Sequence, residues 1–94
     1  MYICLRDLIR EINKMIPGVS LEGFDYFQLN EIYWGLKEEL NIKWYFDTRY
    51  NSTQMQQIRL GLKANVDVSI YADVDIPDHR MLEIRKLLES ELSK

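Results

Sequence analysis

The residues of this 94-residue chain that could do chemistry recur at an interval of 26 positions. Asp47 and Asp73 occupy equivalent places in two similar stretches, and the chain's single histidine, His79, follows the second. Two carboxylates and an imidazole can hold a divalent cation or share a proton. The spacing matches neither an EF-hand loop nor an HExxH helix. Aspartate at turns and helix starts usually has a structural role, so a divalent-metal-binding protein or metal-dependent enzyme using Asp47, Asp73 and His79 is the alternative hypothesis.

The sequence contains no P-loop, nucleophile elbow, dinucleotide fingerprint or catalytic triad. The single cysteine, Cys4, excludes an internal disulfide framework, and its apolar neighbours predict a small buried side chain. Arg59 and Arg85 stand in register and could clamp a phosphate or carboxylate, although pairing with nearby acids such as Glu83 or Glu89 is the simpler interpretation. We therefore expect a protein that is not an enzyme and that needs no cofactor.

These positions recur because the chain is built from a repeat. Gln28–Asp47, QLNEIYWGLKEELNIKWYFD, aligns without a gap with Gln54–Asp73, QMQQIRLGLKANVDVSIYAD. The seven identical pairs are Gln28/Gln54, Ile32/Ile58, Gly35/Gly61, Leu36/Leu62, Lys37/Lys63, Tyr45/Tyr71 and Asp47/Asp73. A third copy begins at Arg80 and includes only the first half of the unit. A fixed period of this length indicates a stack of similar structural units.

The first half of each copy has the period of an amphipathic helix. In the second unit, Leu29, Ile32 and Leu36 share one face, and Asp25 is a suitable N-cap. The same pattern predicts helices over 3–16, 25–39, 52–65 and 79–92, with Asn65 closing the third helix in a left-handed conformation. Glycine inside a helix is destabilising, so its recurrence there predicts the close approach of a neighbouring element.

The second half of each copy alternates instead, which is typical of a strand. Residues 40–47 and 66–73 place apolar side chains on one row and polar or tyrosine side chains on the other. The predicted fold is α/β: a short right-handed solenoid of 26-residue helix–strand repeats in the order αβαβαβα. Its three-stranded parallel sheet has strand order 1-2-3, with helices on one face. The single domain comprises a divergent first repeat (1–23), two repeats (24–53 and 54–79) and a capping helix (80–94).

The sheet face without helices is the predicted binding surface. Tyr45 and Tyr71 would lie side by side on neighbouring strands, about 4.8 Å apart. Tyrosine suits protein contact because it covers area at low entropic cost, whereas shielding the sheet is its alternative role. Trp34, which aligns with Leu60 and Lys86, is predicted to be a partly exposed interface anchor. The predicted protein-binding residues are Lys43, Tyr45, Asp47, Ser69, Tyr71, Asp73 and Trp34.

The repeat resembles that of uncharacterised short proteins from gut clostridia, related Firmicutes and their mobile elements. Their units follow the pattern Q-M-x-x-I-R-x-G-L-x-x-G-V-D-V-S-x-Y-A-D, which Gln54–Asp73 matches almost throughout, with Asn65 in place of a glycine. The preceding unit has Tyr33 where the pattern has arginine. The resemblance covers roughly Phe24–Leu92 and implies no catalytic role. It implies a gene of a phage, a plasmid or their host, and an anti-CRISPR-like inhibitor of a host defence nuclease is one function associated with such genes.

Charge and hydrophobicity bound the class of partner. The net charge of −3 disfavours direct nucleic-acid binding and suits a partner with a basic surface. No apolar run approaches the roughly 18 residues that a membrane span needs, and charges interrupt the first apolar residues too early for a signal peptide. We therefore expect a cytoplasmic protein that binds another protein. Self-association of the sheet face, giving a homodimer, is an alternative form of this binding.

Overall fold

The computed structural model describes residues 4–93, and the regular structure of this part is entirely helical. It has four α-helices: α1 (Leu5–Met15), α2 (Tyr26–Lys37), α3 (Ser52–Lys63) and α4 (Asp78–Leu92). A short 3-10 turn follows α2 at Ile42–Trp44, and another follows α3 at Val68–Ile70. Ile3, which the sequence analysis includes in the first helix, lies outside the described residues.

The predicted α/β solenoid is wrong, because residues 4–93 contain no β-strand and therefore no sheet. The segments 40–47 and 66–73, predicted as strands, each contain a 3-10 turn instead, and the end of the first repeat forms neither a strand nor a 3-10 turn. The Asn41 side chain accepts a hydrogen bond from the Lys43 N–H (3.2 Å), and the Tyr45 N–H donates to the Ile42 carbonyl (2.9 Å). Asn and Asp side chains that bond the backbone locally compete with extended structure, and the equivalent bonds recur one repeat later.

Two side chains in each of these segments point the opposite way from the prediction, whereas Ile42, Val66 and Val68 are buried as expected. Tyr45 and Tyr71, expected on an exposed face, have no exposed surface. Trp44 and Ile70, expected to face the helices, are 41% and 55% exposed. A 3-10 turn brings residues three apart onto one side, so Ile42 is buried together with Tyr45. The tyrosine surface predicted from the sequence therefore does not exist.

The four helices stack in chain order. Helix α1 packs against α2, α2 against α3 and α3 against α4, and each 3-10 turn packs on the helix before it. The stack measures 42 × 26 × 24 Å. A 26-residue unit is therefore a helix followed by a 3-10 turn, and the repeated apolar positions build one continuous core along the stack.

Units two and three each begin with a capping box, which explains where α2 and α3 start. The Asp25 side chain accepts from the Gln28 N–H (2.8 Å), and the Gln28 side chain accepts in return from the Asp25 N–H (2.7 Å). Asn51 and Gln54 repeat this arrangement at 2.7 and 2.9 Å. Each reciprocal pair satisfies two backbone donors at a helix end, so both helix starts are fixed by the same two side-chain positions.

The glutamine of each capping box also holds the return segment of its unit. Gln28 Nε2 donates to the carbonyls of Thr48 (3.2 Å) and Tyr50 (2.6 Å). Gln54 makes the equivalent pair of bonds one repeat later. Both glutamines are buried, so the amide satisfies backbone carbonyls that water reaches poorly. One side chain thereby joins the first turn of the unit to its last residues.

The close approach predicted at the two helical glycines is confirmed. The Tyr45 hydroxyl lies against Gly35 and donates to the Glu31 carbonyl (2.7 Å). A Cβ atom on Gly35 would overlap this hydroxyl and would lie 2.6 Å from Ile42 Cγ2. Gly61 is equally crowded by Tyr71, whose hydroxyl donates to the Gln57 carbonyl (2.6 Å). Glycine is therefore required because the tyrosine occupies the space of a side chain.

Two residues adopt the left-handed conformation after the helices. Asn65 has φ 66°, as predicted, and Glu39 occupies the equivalent position with φ 59°. The left-handed residue redirects the chain towards the 3-10 turn. Asparagine accepts this conformation more readily than glutamate, so the second unit retains the geometry with a less suitable residue.

We expect Gly61→Ala to destabilise the protein by about 1–3 kcal/mol, because the new methyl group forces apart a packed contact. Urea unfolding measures this cost. The same substitution should cost less in the Tyr71→Phe background, where the crowding hydroxyl is gone. An unchanged or increased stability of Gly61→Ala, as at an ordinary exposed helical glycine, would contradict the contact.

We also expect stability to fall in alkaline solution because of the buried phenols. Burial raises the pKa of Tyr71 from 10.0 to about 12, and it also raises the pKa of Tyr45. The folded state thus retains protons that the unfolded state releases, so this stabilisation is complete below pH 10 and is lost as the pH rises towards 12. Urea unfolding at neutral pH and across this range tests the effect, and Tyr71→Phe should lose less stability than the wild type does.

Candidate protein-binding surface

The structure separates the residues that were predicted to form one binding surface. Tyr45 and Tyr71 lie in the core, whereas Lys43 and Ser69 are exposed on the two 3-10 turns. Trp34 is 43% exposed on α2, in agreement with its predicted partial exposure. The predicted surface therefore has no continuous counterpart in the fold.

Asp47 and Asp73 fill the structural role that aspartate commonly has at a turn. Asp47 accepts from the Arg49 N–H (2.9 Å) and pairs with its guanidinium (2.8 Å), and these hydrogen bonds lower the pKa of Asp47. Asp73 accepts from the Asp75 N–H (2.9 Å). In the part of the chain that the structure describes, no three His, Cys, Asp or Glu side chains form a group suited to a metal ion. The geometry thus gives no support to the metal alternative at Asp47, Asp73 and His79.

Two further sequence-based interpretations have different outcomes. Cys4 is exposed just before α1, so the prediction of a buried side chain is wrong. The expected pairing of Arg85 with Glu89 is confirmed.

None of the described helices has the length and apolar composition needed to cross a membrane.

The two arginines in register link neighbouring helices. Arg59 Nε donates to Glu31 (2.6 Å) and its Nη1 to Glu38 (2.8 Å), and the Arg59 and Glu31 side chains are only 14% and 12% exposed. Arg85 Nε donates to Gln57 (2.9 Å). Each arginine thus reaches the residue 28 positions earlier, on the preceding helix. The guanidinium groups are engaged inside the stack and do not form a phosphate clamp.

Glu38 extends this network to the surface. It accepts from Arg59 and also from Lys63 Nζ (2.7 Å). The hydrogen bond from Lys63 is the main cause that lowers the pKa of Glu38, and Arg59 acts in the same direction. The contact between α2 and α3 therefore includes two carboxylates and two cations, whereas the contact between α3 and α4 uses a neutral glutamine at the equivalent place.

The outer side of α2 carries an unusual concentration of aromatic residues. Phe27 is 64% exposed, and Trp34, seven residues later on the same side, is 43% exposed. Tyr26 meets Phe27 edge-on with ring centres 5.6 Å apart, and Tyr33 meets Trp34 in the same way at 5.3 Å. Such edge-to-face pairs are favourable and restrain the rings. Large exposed aromatic side chains on a helix are typical of contact surfaces.

The repeat itself shows that the fold does not require these aromatics. The equivalents of Phe27 and Trp34 are Thr53 and Leu60 in α3, and these occupy the same places on the stack. The residues that the fold does fix, such as Gln28/Gln54 and Tyr45/Tyr71, are identical in both units. Phe27 and Trp34 are therefore not explained by packing between units, which makes them candidates for function.

The surface around them can be defined from the helix period. In each of α2, α3 and α4, the second residue of the helix and the residues three, seven and ten positions after it lie on one side. All twelve of these residues are exposed or partly exposed. We call this surface the outer face. It consists of Phe27, Asn30, Trp34 and Lys37 in α2; Thr53, Gln56, Leu60 and Lys63 in α3; and His79, Leu82, Lys86 and Glu89 in α4.

A second apolar surface lies beside the first unit, on the side of the 3-10 turns. The connection between α1 and α2 is shorter than the later connections and forms no 3-10 turn. It leaves a cavity of about 320 Å³ lined by Ile16, Val19, Ile42, Lys43 and Phe46. A neighbouring cavity of about 360 Å³ shares Val19 and is lined otherwise by Ile9, Asn13, Leu21 and Glu22. Both cavities border Val19, in the connection that forms no 3-10 turn.

Comparisons with known proteins identify no relative. No family model matches the chain, and no curated protein or solved structure is similar to it. The resemblance to the clostridial repeat proteins thus stays a prediction. Nothing in these comparisons or in the structure supports the suggested origin from a phage or the anti-CRISPR-like role.

We expect Arg59→Met to destabilise the fold by about 2–3 kcal/mol, because it leaves two partly buried carboxylates without their shared partner. Lys14→Met is the control, since the Lys14–Glu11 pair is exposed and should contribute at most about 0.5 kcal/mol. Urea unfolding of both variants tests the difference. Glu31→Gln should be tolerated better than Arg59→Met, because Gln57 fills the equivalent position. Equal effects of Arg59→Met and Lys14→Met would contradict a structural role for Arg59.

Proposed function

We propose that this protein is a non-enzymatic protein-binding module and that Phe27 and Trp34 on the outer face anchor its partner. The observation that supports the proposal is the exposure of two large aromatic side chains that the repeat does not need. Interface hot spots are enriched in Trp and Tyr, and a few such anchors supply most of the binding energy. The proposal keeps the protein-binding function expected from the sequence, but of the residues predicted for it only Trp34 belongs to the outer face.

The rigidity of the scaffold favours this use. Among the described residues, every buried side-chain nitrogen and oxygen has a hydrogen-bond partner. Helix α2 is held by its capping box, by α1 and α3 on either side and by the tyrosine lying over Gly35. The aromatic side chains therefore stand on an element that is already ordered. Such preorganisation reduces the entropy lost on binding.

The fold offers no comparable support for catalysis. Asp47 and Asp73, the two carboxylates that seemed suited to chemistry, are engaged in turns. The two cavities beside the first unit are lined mainly by apolar side chains, and neither includes His79, Asp47 or Asp73. A binding surface thus accounts for the exposed residues better than a reaction centre does.

Site-specific photocrosslinking in the source cells tests the proposal. A benzophenone amino acid at position 30 lies between Phe27 and Trp34, and the same group at position 69 lies on the second 3-10 turn. We expect a discrete protein crosslink from position 30 and none from position 69. Crosslinks from position 69 alone would place the contact on the 3-10 turns and overturn the proposal.

The repeat supplies matched variants for this experiment. Phe27→Thr/Trp34→Leu installs the residues that α3 carries at the same places, so the fold should be preserved. It should abolish the crosslink from position 30, because the anchors contribute most of the affinity. Trp44→Ile, which copies Ile70 on the 3-10 side, should leave the crosslink intact. Circular dichroism and urea unfolding confirm that each variant is folded, and a crosslink that survives the double substitution would contradict the assigned anchors.

A further inference from the structure

The charges of the outer face differ from those of the whole chain. The face carries three lysines, Lys37, Lys63 and Lys86, and its one acid, Glu89, is paired with Arg85. Lys63 is itself bonded to Glu38. Among the described residues, Lys37 and Lys86 form no ion pair with an acid. The outer face is therefore locally basic, although the chain has a net charge of −3.

The acids that produce the negative net charge lie mainly elsewhere. The segments that carry the 3-10 turns and the loops after them hold Asp47, Asp67, Asp73 and Asp75, of which the last three are exposed. A partner chosen by the net charge would be basic, as the sequence suggests. A partner that binds the outer face contacts lysines and aromatic rings instead. The local field decides orientation and partner selection at short range, because charges beyond about 8–10 Å are screened by salt.

The spacing of the anchors matches a helix. Phe27 and Trp34 are seven residues apart, which is about 10.5 Å along α2. Apolar residues at i, i+3 or i+4 and i+7 of an amphipathic helix present anchors over the same distance. Lys37 lies one turn beyond Trp34, and Lys86 occupies the position of Trp34 on α4. Lys37 thus stands at one end of the aromatic pair, and Lys86 lies across α3 from Trp34.

Resting on the function proposed above, we infer that the partner docks on the outer face through an acidic amphipathic helix. Its apolar side contacts Phe27 and Trp34 on α2, its carboxylates face Lys37 at the end of that pair, and Lys86 adds positive charge from across α3. The expected charge of the partner is thereby reversed. The net charge of the chain predicts a partner with a basic surface, whereas the outer face fits a partner with an acidic one. Aromatic residues flanked by lysines also suit anionic membranes, but three lysines, one of them already paired, provide little attraction to a charged bilayer.

Selection from a displayed library of helical peptides tests this inference. The wild-type protein is the target, and Phe27→Thr/Trp34→Leu is the counter-target, so only peptides that need the anchors are enriched. We expect the enriched peptides to carry a net negative charge and an apolar stripe. Fluorescence anisotropy should show affinity falling about tenfold for Lys37→Glu/Lys86→Glu and falling with added salt. A peptide with its carboxylates changed to lysines should bind that variant better than it binds the wild type.

The other outcomes separate this inference from the proposed function. Neutral or basic peptides that depend on Phe27 and Trp34 would overturn the acidic partner and leave the protein-binding function standing. Failure to enrich any peptide would overturn the helical partner, whereas the protein-binding function stands or falls with the crosslink from position 30. Cosedimentation with phosphatidylserine vesicles, lost in the Phe27→Thr/Trp34→Leu variant, would assign the outer face to a membrane and also overturn both. Binding of a single-stranded oligonucleotide that is lost in Lys37→Glu/Lys86→Glu would likewise replace the acidic helix with a nucleic acid.

Discussion

The structure depends on a tyrosine placed against a helical glycine. In two successive units the phenol ring lies over the glycine, where a side chain would otherwise stand. Its hydroxyl donates a hydrogen bond to a backbone carbonyl of the same helix: Tyr45 donates to Glu31, and Tyr71 donates to Gln57. This contact holds the 3-10 turn against the helix that precedes it. A buried hydroxyl without an acceptor would be costly, so the burial of the ring and its hydrogen bond belong to one arrangement.

The helices could be predicted from the sequence because their signals are local and repeated. The period of Leu29, Ile32 and Leu36 and the caps at Asp25 and Asn65 correspond to the observed elements. The 3-10 turns could not be predicted, because a segment whose apolar residues alternate as in a strand also contains apolar residues three apart, such as Ile42 and Tyr45. Such a segment fits either structure. Local bonds from Asn41 and Asp67 decide between them. The identity of the tyrosine in both copies was the signal that it serves the core.

The same comparison between copies explains which part of the surface was foreseen. Trp34 differs from Leu60 and Lys86 at the equivalent places, and this variation correctly predicted exposure. Phe27 differs from Thr53 and His79 in the same way, so the same comparison is the signal that identifies it, although it is not among the predicted binding residues. In a repeat protein, identical positions are constrained by the fold, and variable exposed positions are available for binding.

The glutamine that closes each unit has a consequence for how such a chain can change length. Gln28 and Gln54 each bind carbonyls of their own return segment, so the two ends of a unit are held together within 26 residues. The arginine then joins the unit only to its immediate predecessor. A duplication or deletion of 26 codons therefore adds or removes one complete unit, and the contact between neighbouring helices forms again in the same way. Selection can lengthen the stack, and with it the outer face, without redesigning the core.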